Sequence, residues 1–327
     1  MSKEINRIAV LTSGGDAPGM NAAIRAVVRS AIFYDRKVFG VYRGYEGMIE
    51  GDIVEMNIRS VSRIIDKGGT IIKSARSKEF RTPEGRQQAY EQLKKHQIDS
   101  LVVIGGDGSF AGAKIFGEEF DIPVIGIPGT IDNDLYGTDV TIGYDTSTNV
   151  VVECIDKIRD TASSHNRLFF VEVMGRDTGF IALRAGIATG AIAVMMPEEE
   201  MSIEQLINTI DRGAKTRKTS SIVIVAEGEQ HGGAAEVAAK VMAQYDHYEA
   251  KVTVLGHIQR GGSPTVFDRV LASRMGVKAV EALLEGGTDV MTGLINGKIE
   301  LVPFTSTFDK RSKLNEEILR ISKILSI

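Results

Sequence analysis

The sequence predicts an α/β protein built on mostly parallel sheets, and three observations carry that expectation. Short, near-continuous apolar runs recur at Ile8–Thr12, Val38–Val41, Leu101–Ile104, Val124–Ile127, Leu168–Val173, Ile192–Met196, Ile222–Ala226 and Val252–Leu255. Runs of this kind mark strands buried on both faces. Helical rhythms lie between most of them, and strand–helix alternation is the pattern of a parallel α/β sheet. Finally, the runs tend to end in glycine or an acid, and ligands sit beyond the carboxyl ends of strands in such sheets.

The elements follow in order. Ile8–Thr12 passes through a glycine-rich turn into Ile24, Val27, Val28, Ala31 and Ile32. Their i, i+3, i+4, i+7, i+8 spacing defines one apolar helix face. Tyr90, Leu93 and Lys94 lie in a second, more polar helix ahead of the run at Leu101. The longest soft apolar stretch, Phe180 to Met196, carries Arg184 and is interrupted by Gly186 and Gly190. It reads as a buried helix plus a strand, not a membrane span. Ser202 with Gln205 forms a capping box that opens a third helix. Gly228–Ala235 (GEQHGGAA) reads as a mobile surface loop.

Bulk properties exclude several classes. The 327 residues suit two medium domains or one large one. Apolar residues at 43% and charged residues at 25% exclude a disordered chain. With 39 basic against 43 acidic residues, the net charge of -4 lacks the footprint of a duplex nucleic-acid binder. A local basic pocket for an anion stays open. Cys154 is the single cysteine, so no internal disulfide framework exists and a reducing cytosol fits. The start, MSKEINRIAVLTSGGD, has no secretory pattern, which also points to the cytoplasm. No Pro/Ser-rich linker is visible, so the chain is expected to cross between domains more than once.

Three strings carry chemistry. Leu11–Asn21 (LTSGGDAPGMN) joins the first strand to the first helix. Its glycines let backbone approach a ligand, and a helix N-terminus attracts anions. It fits neither G-x-G-x-x-G nor G-x-x-x-x-G-K-[ST], so neither a dinucleotide fingerprint nor a P-loop is supported. Val103–Ser109 (VIGGDGS) repeats the strand-to-Gly-Gly-Asp device. A larger side chain at 106 or 108 would fill the space a phosphate needs. Asp107 is a hard oxygen ligand for Mg²⁺, and Ser109 reads either as a phosphate contact or as a helix cap. Pro128–Asp134 (PGTIDND) sets Asp132 and Asp134 two residues apart, on one side of the chain if the backbone is extended. One carboxylate of such a pair can hold a metal while the other accepts a proton, as phosphoryl transfer requires. Arg76, Arg81, Arg167, Arg176 and Arg260 supply cations beside glycines or strand ends. Among them Arg260 stands out, with His257 before it and Gly261–Pro264 after it as a turn presenting N–H groups.

The strings LTSGGDAPGMNAAIR, VVIGGDGS, PGTIDND, VEVMGRD and VLGHIQRGGSP, in this order, resemble bacterial ATP-dependent 6-phosphofructokinases. The likeness runs to about residue 305 and weakens in the tail. It implies two α/β/α sandwich lobes with mostly parallel sheets. Residues 1–143 plus 259–305 would form a larger ATP-binding lobe, and 144–258 plus 306–327 a smaller sugar-phosphate lobe. It implies a homotetramer whose sugar-phosphate sites are shared between subunits.

By position, the resemblance makes Asp132 the base for the fructose 1-hydroxyl, and Asp107 and Asp134 the Mg²⁺ carboxylates. Gly15, Arg76 and Thr130 would face the γ-phosphate, with Arg176 stabilising charge in transfer. Tyr45, Arg76, Ser77, Arg81, Gly108, Ser109 and Gly112 would contact ATP. Met174, Gly175, Glu227, His257 and Arg260 would hold the sugar phosphate, with Arg167 and Lys251 reaching in from a neighbour.

Pyrophosphate-dependent relatives carry Asp and Lys where this chain has Gly108 and Gly129, so ATP is the expected donor. Lys251 stands where Arg is usual and loses the bidentate fork, which implies weaker sugar-phosphate affinity. The family's effector pocket is matched by Arg25, Arg29, Arg159, Gly190 and Lys218. It is broken by Arg63 for an acid, Ile192 for a metal-binding Glu and Thr216 for a base, so activation by a nucleoside diphosphate is expected to be reduced or absent. Two further readings are a noncatalytic sugar-phosphate or nucleotide sensor, and a kinase for another phosphorylated sugar.

Overall fold

The computed structural model describes residues 4–162, 167–215, 222–245 and 247–325. In chain order the strands are β1 (Arg7–Thr12), β2 (Lys37–Val41), β3 (Ile53–Met56), β4 (Ser100–Gly105), β5 (Val124–Pro128), β6 (Arg167–Val173), β7 (Ala193–Met195), β8 (Ile222–Ala226), β9 (Glu249–Val254), β10 (Val290–Ile295) and β11 (Lys298–Pro303). The helices are α1 (Met20–Phe33), α2 (Gly44–Glu50), α3 (Pro83–Lys95), α4 (Asp107–Phe120), α5 (Tyr144–Ala162), α6 (Phe180–Thr189), α7 (Ile203–Lys215), α8 (Ala234–Met242), α9 (Val266–Leu284), α10 (Phe304–Asp309) and α11 (Glu316–Leu325). Short 3₁₀ turns span Glu79–Arg81 and Gly256–Arg260. No described helix is long and apolar enough to cross a membrane.

The chain forms two compact units. The first takes the residues up to Ile131, Leu135–Thr146 and Arg260–Ser312; the second takes Asp132–Asp134, Ser147–Gln259 and Lys313–Ile327.

The first unit is built on a seven-stranded sheet in the order β11-β10-β5-β4-β1-β2-β3. Its central strands run parallel: β1 pairs with β2 and β4, β4 with β5, and β5 with β10. β4 and β5 are buried along their whole length, as their unbroken apolar runs require. Both edges are antiparallel, through β3 and β11. The sequence reading passed over β3, β10 and β11. The edge strands β3 and β11 are partly solvated, and the inner strand β10 is interrupted by Thr292 and Gly293, so none of the three carries the continuous apolar run that marks the centre. Helices α1 and α9 pack together, and Gly276 permits it: a Cβ there would lie 2.6 Å from the Ala26 Cβ. The Phe110 and Phe304 rings stack at 5.1 Å on the other face, where Phe110, Phe116 and Leu135 form the core.

The second unit carries a four-stranded parallel sheet in the order β7-β8-β6-β9. Phe180–Met196 is a helix followed by a strand. The capping box at α7 forms in both directions, with Ser202 N–H donating to Gln205 Oε1 at 2.8 Å and Gln205 N–H to Ser202 Oγ at 3.2 Å. Two expectations need correction. β9 starts at Glu249, three residues ahead of the apolar run, because this edge strand is half solvated. The Gly228–Ala235 segment is pinned rather than loose. Glu229, only 6% exposed, accepts the N–H groups of His231 (2.8 Å) and Gly233 (2.7 Å), and Glu172 accepts that of Ala234, where α8 begins. Backbone N–H groups exposed by glycines attract carboxylates, which order the turn.

One buried acid organises the first unit where α5 starts. Asp268 is 0% exposed and accepts from Gly143 N–H (2.9 Å), Thr146 N–H (2.8 Å) and Thr146 Oγ1 (2.5 Å), while Thr265 caps α9 by accepting the Asp268 N–H. Burial pushes the Asp268 carboxyl up to about 6 from 3.8, with Asp145 adding to the rise and these hydrogen bonds opposing it. The folded state therefore binds this proton more tightly than the unfolded chain. Stability from the protonated form is present below about pH 4 and lost as pH climbs through 6. Denaturant midpoints between pH 4.5 and 7.5 should show wild type ahead of Asp268→Ala throughout. The gap should narrow by about 2 kcal/mol across that window as pH rises toward neutral.

Candidate active site

In the first unit the sheet reverses direction at β1: the chain steps to β2 on one side and later returns to β4 on the other. In open α/β sheets, ligands sit beyond the carboxyl ends of the strands at such a reversal. The two Gly-Gly-Asp strings leave from there. Ser13 N–H donates to the Ile104 carbonyl at 2.9 Å, and Gly129 N–H to the Gly105 carbonyl at 3.0 Å, so the loops after β1, β4 and β5 are locked side by side. A Cβ on Gly105 would lie 2.5 Å from the Ser13 carbonyl, so only glycine allows this approach. Ser74 Oγ donates to the Gly14 carbonyl at 2.7 Å and Thr12 Oγ1 to that of Lys73 at 2.8 Å. These bonds hold the segment carrying exposed Arg76 against the first loop.

Asp107 opens α4, and Gly108 N–H donates to its Oδ1 at 2.7 Å. A Cβ on Gly106 or Gly108 would meet no atom within 4 Å. Packing does not require glycine at either place; the space in front of this helix start is simply open. Gly129 is different, since its Cβ would sit 3.1 Å from both Ile104 Cγ2 and Met20 Cε, so packing alone favours glycine there. Ser109 is not the helix cap. The helix starts two residues earlier, and Ser109 is 6% exposed with its carbonyl accepting the Tyr45 hydroxyl at 2.6 Å. Tyr45 is itself a floor residue, 6% exposed and stacked on Phe80 at 4.0 Å, and the two rings back Gly112. Burial pushes the Tyr45 phenol upward. Ser77 Oγ accepts the Phe80 N–H at 3.1 Å, and Arg81 lies exposed beside it. Arg260 donates from Nη1 to the Asp16 carbonyl at 3.0 Å and covers Gly15, whose Cβ would be 2.7 Å from that nitrogen. Thr130 lends its carbonyl to Thr141 Oγ1 at 2.7 Å.

The second unit holds the remaining candidates. Asp132 is 3% exposed, and Arg176 Nε lies 3.9 Å from its Oδ2, an ion pair too long for a hydrogen bond. The backbone between Asp132 and Asp134 is not extended, because Asn133 has φ 55°. The alternation argument for the two carboxylates therefore fails: Asp132 is buried and Asp134 half-buried. Met174, Gly175 and Arg176 follow β6, with Glu227 Oε1 accepting from Gly175 N–H (3.2 Å) and Arg176 N–H (2.8 Å). Thr178 Oγ1 donates to the Gly175 carbonyl at 2.9 Å and lies 3.3 Å from that of Asp132. Exposed His257 sits on the turn after β9. Sequence reasoning passed over Thr178 and Gln259, because neither residue type announces chemistry. Arg167 and Lys251 are both held by Glu249, at 2.9 and 2.5 Å, and this holds the Glu249 carboxyl down to about 2, chiefly through Lys251.

The effector candidates fall as follows. Arg25 and Arg29 share α1; burial lowers the Arg25 pKa and the Arg29 charge adds to it. Arg159 donates to the Thr189 carbonyl beside Gly190, the left-handed C-cap of α6. Ile192 is 3% exposed and belongs to the core of the second unit. A Cβ on Gly213 would lie 2.5 Å from its Cδ1, so its side chain packs against α7. Arg63 lies exposed at φ 55°. Lys218 and Thr216 lie outside the described residues. Among the described residues no three His, Cys, Asp or Glu side chains converge as a metal cage.

Since glycine in a helix is unfavourable and nothing packs on Gly108, Gly108→Ala should raise stability by up to about 1 kcal/mol in a denaturant titration.

A family model described as phosphofructokinase matches residues 7–283. A Bacteroides thetaiotaomicron protein named ATP-dependent 6-phosphofructokinase 2 is 55% identical over 320 residues, covering 98% of each chain. A Thermus thermophilus protein named ATP-dependent 6-phosphofructokinase 1 is 53% identical over 323 residues, covering 99% of this chain and all of the other. Among solved structures, Saccharomyces cerevisiae phosphofructokinase superposes with a TM-score of 0.89 at 38% identity, covering 98% of this chain and 47% of that longer one. With a family model over residues 7–283 and a relative 55% identical along nearly the whole length, the chain belongs to the phosphofructokinase family.

Proposed function

We propose that this chain is an ATP-dependent 6-phosphofructokinase of glycolysis. It transfers the γ-phosphoryl group of ATP to the 1-hydroxyl of D-fructose 6-phosphate, giving ADP, D-fructose 1,6-bisphosphate and a proton. The observation that carries the donor assignment is the open space before Gly106 and Gly108, where an added Cβ would meet nothing within 4 Å beyond its chain neighbours and its own helix backbone. Aspartate at 108 would place a negative charge where a nucleotide phosphate must lie.

The first unit is then the ATP-binding lobe and the second the sugar-phosphate lobe. Gly15, Arg76, Ser77, Arg81, Asp107, Gly108 and Ser109 surround the triphosphate, with Tyr45 and Gly112 forming the floor. Asp132 takes the proton of the 1-hydroxyl, and Arg176, 3.9 Å from that carboxylate, meets the charge that develops. Thr130 and Arg76 orient the moving phosphoryl group. Met174, Gly175, Glu227 and His257 hold the sugar phosphate. Arg260 joins them by exchanging its bond to the Asp16 carbonyl for the ligand. Arg167 and Lys251 serve a neighbouring copy in a homotetramer, after release from Glu249. The setting is the cytoplasm.

Asp107 and Asp134 are the residues that would hold Mg²⁺. Carboxylate oxygens without a converging cage suit an ion that keeps several waters and arrives with the nucleotide. When bound, it neutralises triphosphate charge. A binding-only protein would leave Asp132 and Arg176 without a task.

Asp132→Asn should lower kcat by about two to four orders of magnitude while leaving the KM for fructose 6-phosphate nearly unchanged in a coupled ADP-release assay. With formation of fructose 1,6-bisphosphate as the readout, pyrophosphate should not replace ATP, and Gly108→Ala should raise the KM for ATP. Because Ile192 is buried in the core, it offers no metal ligand to an effector phosphate. Initial rates at low fructose 6-phosphate are therefore expected to be the same with and without added ADP.

A further inference from the structure

Gln259 lies inside the GHIQR turn, whose flanking His257 and Arg260 attract attention while the glutamine does not. It is 0% exposed. Its Oε1 accepts the Met174 N–H at 3.1 Å and its Nε2 donates to the Gly256 carbonyl at 2.9 Å. Met174 N–H can only donate and the Gly256 carbonyl can only accept, so the amide has one possible orientation. One end grips the loop after β6; the other grips the turn that presents His257.

That loop needs gripping. Gly175 has φ 144° and Arg176 φ 53°, a conformation that costs energy in a side-chain-bearing residue. Glu227 accepts the Gly175 and Arg176 N–H groups, and Gly228 closes in so tightly that a Cβ there would lie 2.0 Å from the Arg176 carbonyl. These contacts fix the middle of the loop from the β8 side. The hydrogen bond from the Met174 N–H ties the start of the loop to the turn after β9.

We propose that Gln259 is a positioning residue for sugar-phosphate recognition, its buried amide setting the distance between the Met174–Arg176 backbone and the turn carrying His257. This deepens the reading above, because it rests on Met174, Gly175, Glu227 and His257 holding the sugar phosphate. Methionine at 259 keeps the shape and removes both hydrogen bonds. Glutamate keeps the acceptor for Met174 but sets an anion against the Gly256 carbonyl. The variants leave buried partners unpaired, so roughly a tenfold loss in fructose 6-phosphate recognition is the scale expected.

The experiment compares wild type, Gln259→Met and Gln259→Glu as full chains. Each is assayed with fructose 6-phosphate varied at saturating ATP and the reverse. Thermal unfolding is followed with and without fructose 6-phosphate. The proposal expects the KM for fructose 6-phosphate to rise about tenfold in Gln259→Met and further in Gln259→Glu, with the KM for ATP within about twofold. It also expects the shift in melting temperature caused by fructose 6-phosphate to shrink, with the ligand-free melting temperature falling by only a few degrees. A KM for fructose 6-phosphate within about twofold of wild type in both variants overturns the proposal alone. So does a parallel rise in both KM values with a large fall in ligand-free melting temperature, which marks a plain core residue. A wild type inert toward fructose 6-phosphate overturns the functional reading and this proposal with it.

Discussion

The hydrogen bonds that clamp the loops after β1, β4 and β5 are the constraint on which the first unit's site depends. Parallel strands deliver their carboxyl ends to one edge of the sheet, but they do not by themselves bring three loops into contact. The Ser13 N–H on Ile104 and the Gly129 N–H on Gly105 do so, and Gly105 permits the approach. With the loops fixed, the start of α4 at Gly106 and Gly108 faces open space. Glycine is required at Gly105 because backbone approaches backbone there.

The second unit solves a similar problem with side chains. Its loops after β6, β8 and β9 are joined by the Glu227 carboxylate and the Gln259 amide, both acting on backbone N–H groups. A left-handed Arg176 is tolerated because Glu227 holds the two peptide groups that precede it. Arg167 and Lys251, by contrast, are held by an exposed acid. Solvated ion pairs contribute little and exchange readily, so these cations stay available to an anionic ligand.

Much of the fold was legible because its signal is local. Buried parallel strands must be apolar throughout, and the central strands β1, β4, β5, β6 and β8 carry that mark. The Ser202–Gln205 cap was readable from two residue types at a fixed spacing. Edge strands β3 and β11 were not, because half-solvated pairing leaves a mixed pattern, and inner strand β10 was not, because Thr292 and Gly293 break its apolar run. The GEQHGGAA segment looked loose because composition cannot show that Glu229 and Glu172 fold onto its N–H groups.

For the candidate site, the sequence by itself determined the residue types: glycines before a helix, two aspartates in TIDND, arginines beside glycines. Those follow from the chemistry of phosphate and proton transfer and are written in order along the chain. Tertiary structure alone decided their stations. It buried Tyr45 as a floor, turned the backbone at Asn133 so that Asp132 and Asp134 differ in exposure, laid Arg260 on Gly15 and sent Ile192 into the core. Contacts such as Met174 with Gln259 join residues 85 positions apart. No local pattern encodes them, because they exist only once the strands that carry those residues have paired.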